Sequence, residues 1–402
     1  MRVDTGQRLW DDCGIGTGSQ RGLFSRAPSD LEPVGARSGR LRSDVPVETL
    51  LGRSVLDVGS GELAEYVAGS SVLVTGAGGS IGTELCRRLA SLRPRELVLV
   101  DQAEAPLAAV ARMLRDELGF VNGVPVLADI KNRSRAIGLL ELHRPGVVLH
   151  AAAYKQVPLL ESSPVEGVAA NVLGTKNLVD ASRSVDVERF VLFSTDKAVL
   201  PTSILGQTKR VAEWIVADAG RGANGRYAAV RLGNVIDSAG SIVPVFRRQA
   251  AGEGPLTVTD ERATRYLMTM GEAAGLALAA GALADSESVF CLDAGAPVPV
   301  VELARRVASA ALRPIEIEVI GLRPGERLHE HLFWPCDDVV STSFAGVLRA
   351  DLHCVDGEWL ERCLSVLADH VHRASAAEAR AMLAEMNAAP EVGDVRPAVI
   401  RA

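Results

Sequence analysis

Ser71–Gly82 reads SVLVTGAGGSIG, a run of β-branched and aliphatic residues that leads directly into a glycine-rich turn. Three of its glycines, Gly76, Gly79 and Gly82, stand at three-residue intervals, and a helical pattern begins near Thr83. In a strand–turn–helix unit, the first glycine permits a tight turn, the second allows the backbone to approach a pyrophosphate, and the third lets the helix pack closely on the strand. N–H groups at the helix start would then face the phosphates. The stretch therefore predicts a dinucleotide-binding turn, although its spacing differs from the common GxGxxG.

Short apolar runs alternate with amphipathic stretches after this turn. The runs lie at 96–101, 124–129, 147–150, 189–194 and 227–232. Strands buried on both faces need such continuous apolar runs, and their alternation with helices is typical of βαβ units. We therefore predict an α/β fold, a doubly wound parallel sheet with a smaller C-terminal lobe that binds substrate.

The composition excludes several classes of protein. Hydrophobic residues make up 48% of the 402, and the net charge of −7 gives no global case for nucleic-acid binding. The longest apolar stretch, Ala273–Ala284, is far shorter than the roughly 20 residues of a membrane-spanning helix. The 6 cysteines are scattered without ligand spacing, so we expect reduced thiols, no metal site and a cytoplasmic protein.

Composition also divides the chain into regions. Residues 1–44 are rich in Gly, Ser and Arg and predict a disordered tail or, alternatively, an arm that docks on a partner subunit. Residues 45–70 predict a helical lead-in, 71–233 the dinucleotide-binding domain, and 234–340 a substrate-binding lobe with some return to the core sheet. Residues 341–402 predict a helical C-terminal extension.

Acidic residues at two strand ends bear on the cofactor. Asp101 ends the second predicted strand, where a carboxylate would bind an adenosine ribose, and this favours NAD. Arg87 and Arg88 leave NADP open, because a 2′-phosphate needs such a cation. Asp129 ends the third strand, either beside an adenine or as a helix N-cap.

Charged residues follow the fourth and fifth strands, where the reaction of such a fold takes place. His150–Lys155 reads HAAAYK, and Ser194–Val199 reads STDKAV. Asp196 and Lys197 supply one acid and one base, as a dehydration requires, and Lys209 follows twelve residues later. The alternative is a solvated salt pair in a loop.

Together the motifs carry a family resemblance. TGAGGSIG is followed by AAAYK (151–155), NVLGT (171–175), STDKAV (194–199), GQTKR (206–210), RLGNV (231–235), TRYLMT (264–269) and GLRPGE (321–326). This order, from about Thr49 to Leu332, resembles the polysaccharide-biosynthesis branch of extended short-chain dehydrogenases/reductases, whose best-known members are UDP-N-acetylglucosamine 4,6-dehydratases. Leu50–Arg53 resembles the lead-in of large membrane-anchored members, and we expect this chain to lack their membrane half.

The resemblance implies roles for individual residues. Thr195 would bind the sugar C4 hydroxyl, Asp196 would act as acid at C6, Lys197 would act as base at C5, and Lys209 would bind the nicotinamide ribose. The residues expected to bind the cofactor are Gly76, Gly79, Ser80, Ile81, Gly82, Asp101, Asp129, Ile130, Ala151, Ala152 and Lys209. Those expected to bind the substrate are Lys155, Asn171, Asn234, Arg265 and Arg323. The implied cofactor is NAD, with NADP open, and the implied partners are a UDP-sugar and further copies of the chain.

Two positions depart from the family pattern. Leu205 stands four residues before Lys209, where short-chain enzymes carry Tyr and large members of this branch often carry Met. Leucine cannot accept a proton, so C4 oxidation would rely on Thr195, a water or Asp196. Gln156 stands where relatives commonly have His. Three alternatives therefore remain: a 4-epimerase, a 5,6-dehydratase, and a non-catalytic NAD-binding protein.

Overall fold

The computed structural model describes residues 45–56, 63–252, 254–285, 287–311 and 313–388. The predicted tail, 1–44, lies outside this range. The strands are β1 (Ser71–Thr75), β2 (Glu96–Asp101), β3 (Gly123–Leu127), β4 (Val147–His150), β5 (Arg189–Thr195), β6 (Arg226–Leu232), β7 (Asn234–Val235), β8 (Leu256–Val258), β9 (Thr264–Arg265), β10 (Leu267–Met268), β11 (Ser288–Leu292), β12 (Val298–Pro299), β13 (Ile317–Val319), β14 (Val340–Ser341) and β15 (Val347–Asp351).

Helices connect most of these strands. They are α1 (Val47–Leu51), α2 (Ala64–Val67), α3 (Ser80–Ser91), α4 (Glu104–Arg112), α5 (Arg133–His143), α6 (Val157–Ser162), α7 (Pro164–Gly167), α8 (Gly174–Ser184), α9 (Ile204–Arg221), α10 (Ile242–Ala251), α11 (Met270–Leu283), α12 (Val300–Ser309), α13 (Gly357–His372) and α14 (Ala376–Ala388). Two π-helical segments, Met113–Glu117 and Val168–Leu173, and one 3₁₀ turn, Asp196–Ala198, complete the set. Within the described residues, no helix has both the length and the apolar character that crossing a membrane requires.

The central sheet has 9 strands in the order β14-β15-β11-β6-β5-β4-β1-β2-β3. From β3 to β11 all neighbours are parallel, whereas β15 runs antiparallel to β11 and β14 antiparallel to β15. The order 3-2-1-4-5-6 confirms the doubly wound fold and puts the topological switch point between β1 and β4. Ligands of such sheets bind outside the carboxyl ends of the strands at that point.

Two hydrophobic layers cover the sheet. Successive residues of a strand point to opposite faces, and Val72 and Val74 accordingly pack in one layer while Leu73 packs in the other. All three side chains are fully buried. Burial on both faces explains why the sequence shows continuous apolar runs instead of alternation.

A third hydrophobic cluster forms the core of the smaller lobe. Its members come from α10, α12 and β8, and Leu50 and Leu51 of α1 pack with them. The lobe also returns to the sheet, since β11 lies beside β6. The prediction for 341–402 needs correction, because β15 joins the central sheet before α13 and α14 begin. Its Val347 and Ala350 are buried between β11 and the short edge strand β14.

Candidate active site

The glycine-rich turn joins β1 to α3. Gly76 has a φ of 68°, in the left-handed region that favours glycine. A Cβ at Gly82 would collide with the carbonyl oxygen of Gly76, so glycine is required there for α3 to approach β1. The N-cap residue of α3 is Gly79, which has no side chain that could accept a hydrogen bond from the first turn of the helix. The N–H groups of the first turn, at Ser80 and Ile81, therefore suit an anionic ligand.

A cleft of about 660 Å³ opens at the switch point. It contains seven of the residues predicted to bind a cofactor, and we call it the switch-point cleft; these residues are Gly76, Gly79, Asp101, Asp129, Ile130, Ala151 and Ala152. Lys131 and Tyr154, which the sequence analysis did not single out, also line it. The carboxyl ends of β1, β2, β3 and β4 thus converge on one cleft.

Asp101 has the position that a ribose-binding carboxylate requires. Its Oδ2 accepts a hydrogen bond from Gly78 N–H at 2.9 Å, which ties the end of β2 to the glycine-rich turn. Arg87 and Arg88 both pair with Glu84, at 3.6 and 3.1 Å, and neither is among the residues that line the cleft. The donor set around the cleft therefore fits the adenosine half of NAD better than a 2′-phosphate.

Asp129 lines the cleft and does not cap a helix. The N-cap of α5 is Asn132, whose side chain accepts from Arg135 N–H. Asp129 instead accepts from Lys131 N–H at 2.9 Å. The N-cap alternative for Asp129 is therefore wrong, because the chain makes a further turn before α5 begins.

Thr195, Asp196, Lys197 and Glu330 form a group that we call the charged corner. Thr195 ends β5, and the 3₁₀ turn after it bends the chain across the sheet edge. Asp196 is fully buried. Its Oδ1 accepts from Thr195 Oγ1 and from Lys197 Nζ, both at 2.9 Å, whereas its Oδ2 has no hydrogen-bond partner within the described residues. Two donors thus hold one carboxylate oxygen and leave the other for a ligand.

Glu330 brings a second carboxylate to the corner, and sequence reasoning missed it. It follows the GLRPGE motif, in the segment between β13 and β14. Its Oε1 lies 3.5 Å from Lys197 Nζ, and its Oε2 accepts from Arg327 at 2.5 Å. Nothing in the local pattern marks Glu330, since 133 residues separate it from Lys197.

Electrostatics at the corner favour a charged lysine. Burial works to lower the pKa of Lys197, but the Asp196 and Glu330 carboxylates outweigh it and raise that pKa above its ordinary value. Burial likewise works to raise the pKa of Glu330, and Lys197 and Arg327 reverse that effect and lower it. The structure therefore corresponds to an ammonium between two carboxylates.

Lys209 projects from α9 onto the strand beside the corner. Its ammonium donates to the Phe193 carbonyl at 2.6 Å, and burial lowers its pKa to about 8. His150, at the end of β4, bonds Thr75 and Thr175 through its two ring nitrogens. Burial and the Lys209 charge lower the pKa of His150 to about 3, so this imidazole stays neutral.

Leu205 packs into the hydrophobic layer below α9 and is 5% exposed. Ser203 caps this helix by accepting from Gly206 N–H. The helix start is therefore regular, and the Leu205 side chain is part of the hydrophobic core.

The residues predicted to bind substrate have different surroundings. Lys155 donates to Ser238 of the lobe at 3.3 Å, and the Asn234 side-chain oxygen is buried without a partner in the described chain. Arg265 donates to the carbonyls of Thr264, Arg327 and Leu328, so it holds the segment that carries Glu330. Arg323 is exposed and pairs with Glu326.

Asn171 is fully buried and supports the loop after β4. Its Oδ1 accepts from Tyr154 N–H, and its Nδ2 donates to Tyr154 C=O and to Thr208. Its amide is therefore engaged by the protein, and in this conformation it positions Tyr154 at the cleft.

Beneath the corner lies an ion pair that the sequence analysis did not anticipate. Glu213 accepts from Ser194 Oγ at 2.6 Å and from Arg231 at 2.8 and 3.0 Å, and all three side chains are buried. It fixes the strand residue before Thr195 to α9 and β6. Removing either partner of such a pair is costly, since it leaves an uncompensated buried charge.

Cys336, Asp337 and His353 come together although their sequence spacing predicts no metal site. Their potential ligand atoms lie within 4.8 Å of one another. Asp337 also pairs with the Arg231 guanidinium at 3.6 Å, and this cation opposes the binding of a metal ion. The group therefore acts as a polar anchor between β15 and the loop after Leu332.

Comparison with known proteins places the chain in a family. The profile described as "Polysaccharide biosynthesis protein" matches residues 72–351. The probable polysaccharide biosynthesis protein EpsC of Bacillus subtilis is 37% identical over 363 residues, which cover 89% of this chain and 60% of EpsC. The chain thus spans less than two thirds of that relative.

Relatives with named activities include both a dehydratase and an epimerase. A UDP-N-acetylglucosamine 4,6-dehydratase (inverting) of Campylobacter jejuni is 26% identical, covering 69% of this chain and 81% of that protein. A UDP-glucose 4-epimerase of Rickettsia rickettsii is 30% identical, covering 65% and 77%. Among solved structures, Pen from Bacillus thuringiensis superimposes with a TM-score of 0.66 at 27% identity, covering 71% and 89%. The chain belongs to the polysaccharide biosynthesis protein family, in the extended short-chain dehydrogenase/reductase branch.

Proposed function

We propose that the protein is an NAD-dependent nucleotide-sugar 4,6-dehydratase that converts UDP-N-acetylglucosamine to a UDP-4-keto-6-deoxy sugar. The observation that carries this proposal is the charged corner, in which a carboxylate and an amine share a hydrogen bond at the end of β5. Eliminating water across C5 and C6 needs an acid for the leaving hydroxyl and a base for the carbon acid. Asp196 and Lys197 supply these two groups.

The Thr195–Asp196 hydrogen bond replaces the missing tyrosine. Thr195 Oγ1 donates to Asp196 Oδ1, so a proton released from the C4 hydroxyl passes through Thr195 to the carboxylate. Asp196 then holds that proton and delivers it to the C6 hydroxyl as water leaves. One proton is taken up and one is given back, and Leu205 takes no part in the transfer.

Lys197 works at the neighbouring carbon. The C4 ketone acidifies the C5–H, and the neutral amine removes this proton and returns it to C5 after the elimination. NAD, when bound in the switch-point cleft, would supply reversible hydride transfer to and from the sugar. Asp101 and the N–H groups of Ser80 and Ile81 would hold it, and Lys209 would contact its nicotinamide ribose.

The lobe residues would hold the UDP moiety. The exposed guanidinium of Arg323 suits the diphosphate, whereas the buried side-chain oxygen of Asn234, which has no partner among the described residues, can accept a hydrogen bond from a hydroxyl of the nucleotide. Arg265 contributes indirectly in this conformation, since three of its N–H groups donate to the backbone carbonyls of Thr264, Arg327 and Leu328. Lys155 and Gln156 border the sugar end of the site, where Gln156 approaches Gly240 of the lobe.

The test is incubation of the purified protein with UDP-N-acetylglucosamine and NAD⁺, followed by mass spectrometry and NMR. We expect loss of one water from the nucleotide sugar and a 4-keto, 6-deoxy product. A 5,6-alkene would mean that hydride returns to C4. A product of unchanged mass with inverted C4 would identify an epimerase, which needs neither Asp196 nor Lys197. If a panel of UDP-, GDP- and dTDP-sugars stayed unchanged while NAD bound, the protein would be a binding protein.

A further inference from the structure

Glu330 is the one group of the charged corner to which the proposed cycle gives no task. Its side chain is 3% exposed, and its two oxygens contact Lys197 and Arg327. A buried carboxylate costs free energy unless it is paired. Arg327 alone would satisfy that pairing, and it also donates to the Val199 and Leu200 carbonyls. The contact with Lys197 therefore requires a separate explanation.

The proposed cycle lacks an acceptor for one proton, the ammonium proton of Lys197. Lys197 is an ammonium in the free protein, and it must lose a proton before its amine can act at C5. Asp196 cannot receive that proton, because in the proposed cycle it already holds the one from the C4 hydroxyl. Bulk water is a poor acceptor once the sugar covers the corner. A second acceptor within reach of Lys197 is needed.

We propose that Glu330 is a positioning residue that holds the ammonium proton of Lys197 while the amine works at C5. The N–H bond of Lys197 breaks and an O–H bond forms on Glu330. Lys197 then takes the C5 proton and later returns one of its three ammonium hydrogens to C5, so that hydrogens from solvent can appear there, after which the Glu330 proton goes back to Lys197. No proton enters or leaves the corner. This inference rests on the proposed function.

The surrounding charges hold the ion pair in the free protein, and a bound sugar shifts the balance towards transfer by expelling water. Asp196 and Glu330 face Lys197 from the 3₁₀ turn and from the segment after β13, and Arg265 adds a cation that acts on both Lys197 and Glu330. Arg327 lies three residues before Glu330 and forms an ion pair with it. Burial penalises the charged forms of Lys197 and Glu330 alike, so a sugar that expels water brings the neutral pair closer in free energy to the ion pair.

Tyr266, like Cys291, is a titratable group close enough to the corner to be affected by the Asp196 charge. Burial and the Asp196 charge raise its pKa, so it stays protonated and does not compete for the Lys197 proton. Its backbone carbonyl accepts from Asn234 N–H, which fixes its place on the lobe side.

The experiment compares Glu330→Gln with the wild-type protein. In deuterated water, exchange of the C5 hydrogen of UDP-N-acetylglucosamine is followed by NMR, and reduction of the nicotinamide by its absorbance. We expect C5 exchange near neutral pH to fall about 10²-fold, as for loss of a general-base partner, while nicotinamide reduction persists. The exchange rate of the variant should rise with pH, because its Lys197 must lose its proton to solvent, whereas the wild type should be nearly independent of pH.

Two further variants separate this role from a structural one. Glu330→Asp keeps the carboxylate and should recover part of the exchange rate and the flat pH profile. Glu161→Gln is a matched control, because Glu161 also pairs with an arginine, Arg380, and binds Ile204 N–H without contacting Lys197. It should keep the wild-type pH profile.

A measurement without substrate makes the outcomes distinguishable. The pH midpoint of Lys197 acylation, read by mass spectrometry, should fall in Glu330→Gln because the carboxylate stabilises the ammonium. An unchanged midpoint overturns the proposal, and so does C5 exchange in the variant that is as fast as or faster than wild type. If the wild type exchanges no C5 hydrogen of any nucleotide sugar, the proposed function fails, and the proton-holding role fails with it even where the midpoint moves.

Discussion

In the switch-point cleft, backbone groups bind both acidic side chains of the wall, with Gly78 N–H on Asp101 and Lys131 N–H on Asp129. In the charged corner, the contacts join side chains, with Lys197 held between Asp196 and Glu330. The first arrangement is anchored on the backbone. The second stores charge that must move when a sugar binds. Under the proposed function, the cleft holds the cofactor and the corner exchanges protons with the sugar.

The largest expected effect comes from breaking the corner with Asp196→Asn. The amide can neither accept the C4 proton through Thr195 nor protonate the C6 hydroxyl, so turnover should fall about 10³- to 10⁴-fold. NAD binding should stay unchanged, because the cleft does not depend on Asp196. Turnover by the NMR assay and NAD titration would check both. Asp369→Asn, which removes a surface pair with Arg373, is the control, and a loss below tenfold in Asp196→Asn would contradict the proton relay.

The next effect comes from breaking the cleft with Gly82→Ala. The added Cβ would collide with the Gly76 carbonyl, so α3 must move away from β1. We expect the free energy of unfolding to fall by about 2–4 kcal/mol and NAD affinity to fall with it, as measured by denaturant titration and calorimetry. Gly138→Ala in α5 is the matched control, since a Cβ there meets nothing within 4 Å. It should gain up to about 1 kcal/mol. Equal stability in the two variants would refute the close-approach argument.

The cleft and the corner also differ in how much of each could be predicted from the sequence. The cleft could be predicted because one contiguous turn and the carboxyl ends of β1–β4 build it, and apolar runs reveal those strands. Asp196 and Lys197 could be predicted because they follow such a strand directly. Glu330 could not, because a contact with Lys197 across 133 residues depends on how the lobe packs. The engagement of Asn171 with Tyr154 and Thr208, and the strand β15 inside a region that reads as helical, depend on tertiary packing in the same way.

Lys209 makes the stability of the fold depend on pH. Its pKa in the folded chain is about 8, below the ordinary value of 10.5. Between these values the unfolded chain binds more protons than the folded one, so the free energy of unfolding rises with pH across that window. The contribution is absent above pH 10.5 and costs stability below pH 8. We expect Lys209→Met to remove a rise of about 3 kcal/mol, measured by denaturant unfolding at several pH values. If the free energy of unfolding had the same pH dependence in variant and wild type, the pKa of Lys209 would not change on folding, and the prediction would be wrong.

The smallest expected effect comes from Asp101→Asn, which tests how the cleft discriminates between NAD and NADP. Asp101→Asn keeps an acceptor for Gly78 N–H but removes the negative charge beside the ribose site. NAD affinity should fall about tenfold, or about 1.4 kcal/mol, while NADP affinity should fall less or rise, because a 2′-phosphate no longer meets a carboxylate. Titration calorimetry with both dinucleotides gives the ratio of the two affinities. Since Arg87 and Arg88 stay paired with Glu84, the variant should not reach a preference for NADP. A full reversal would mean that one of these arginines leaves Glu84 for the phosphate, and the cleft would then be less rigid than its backbone contacts imply.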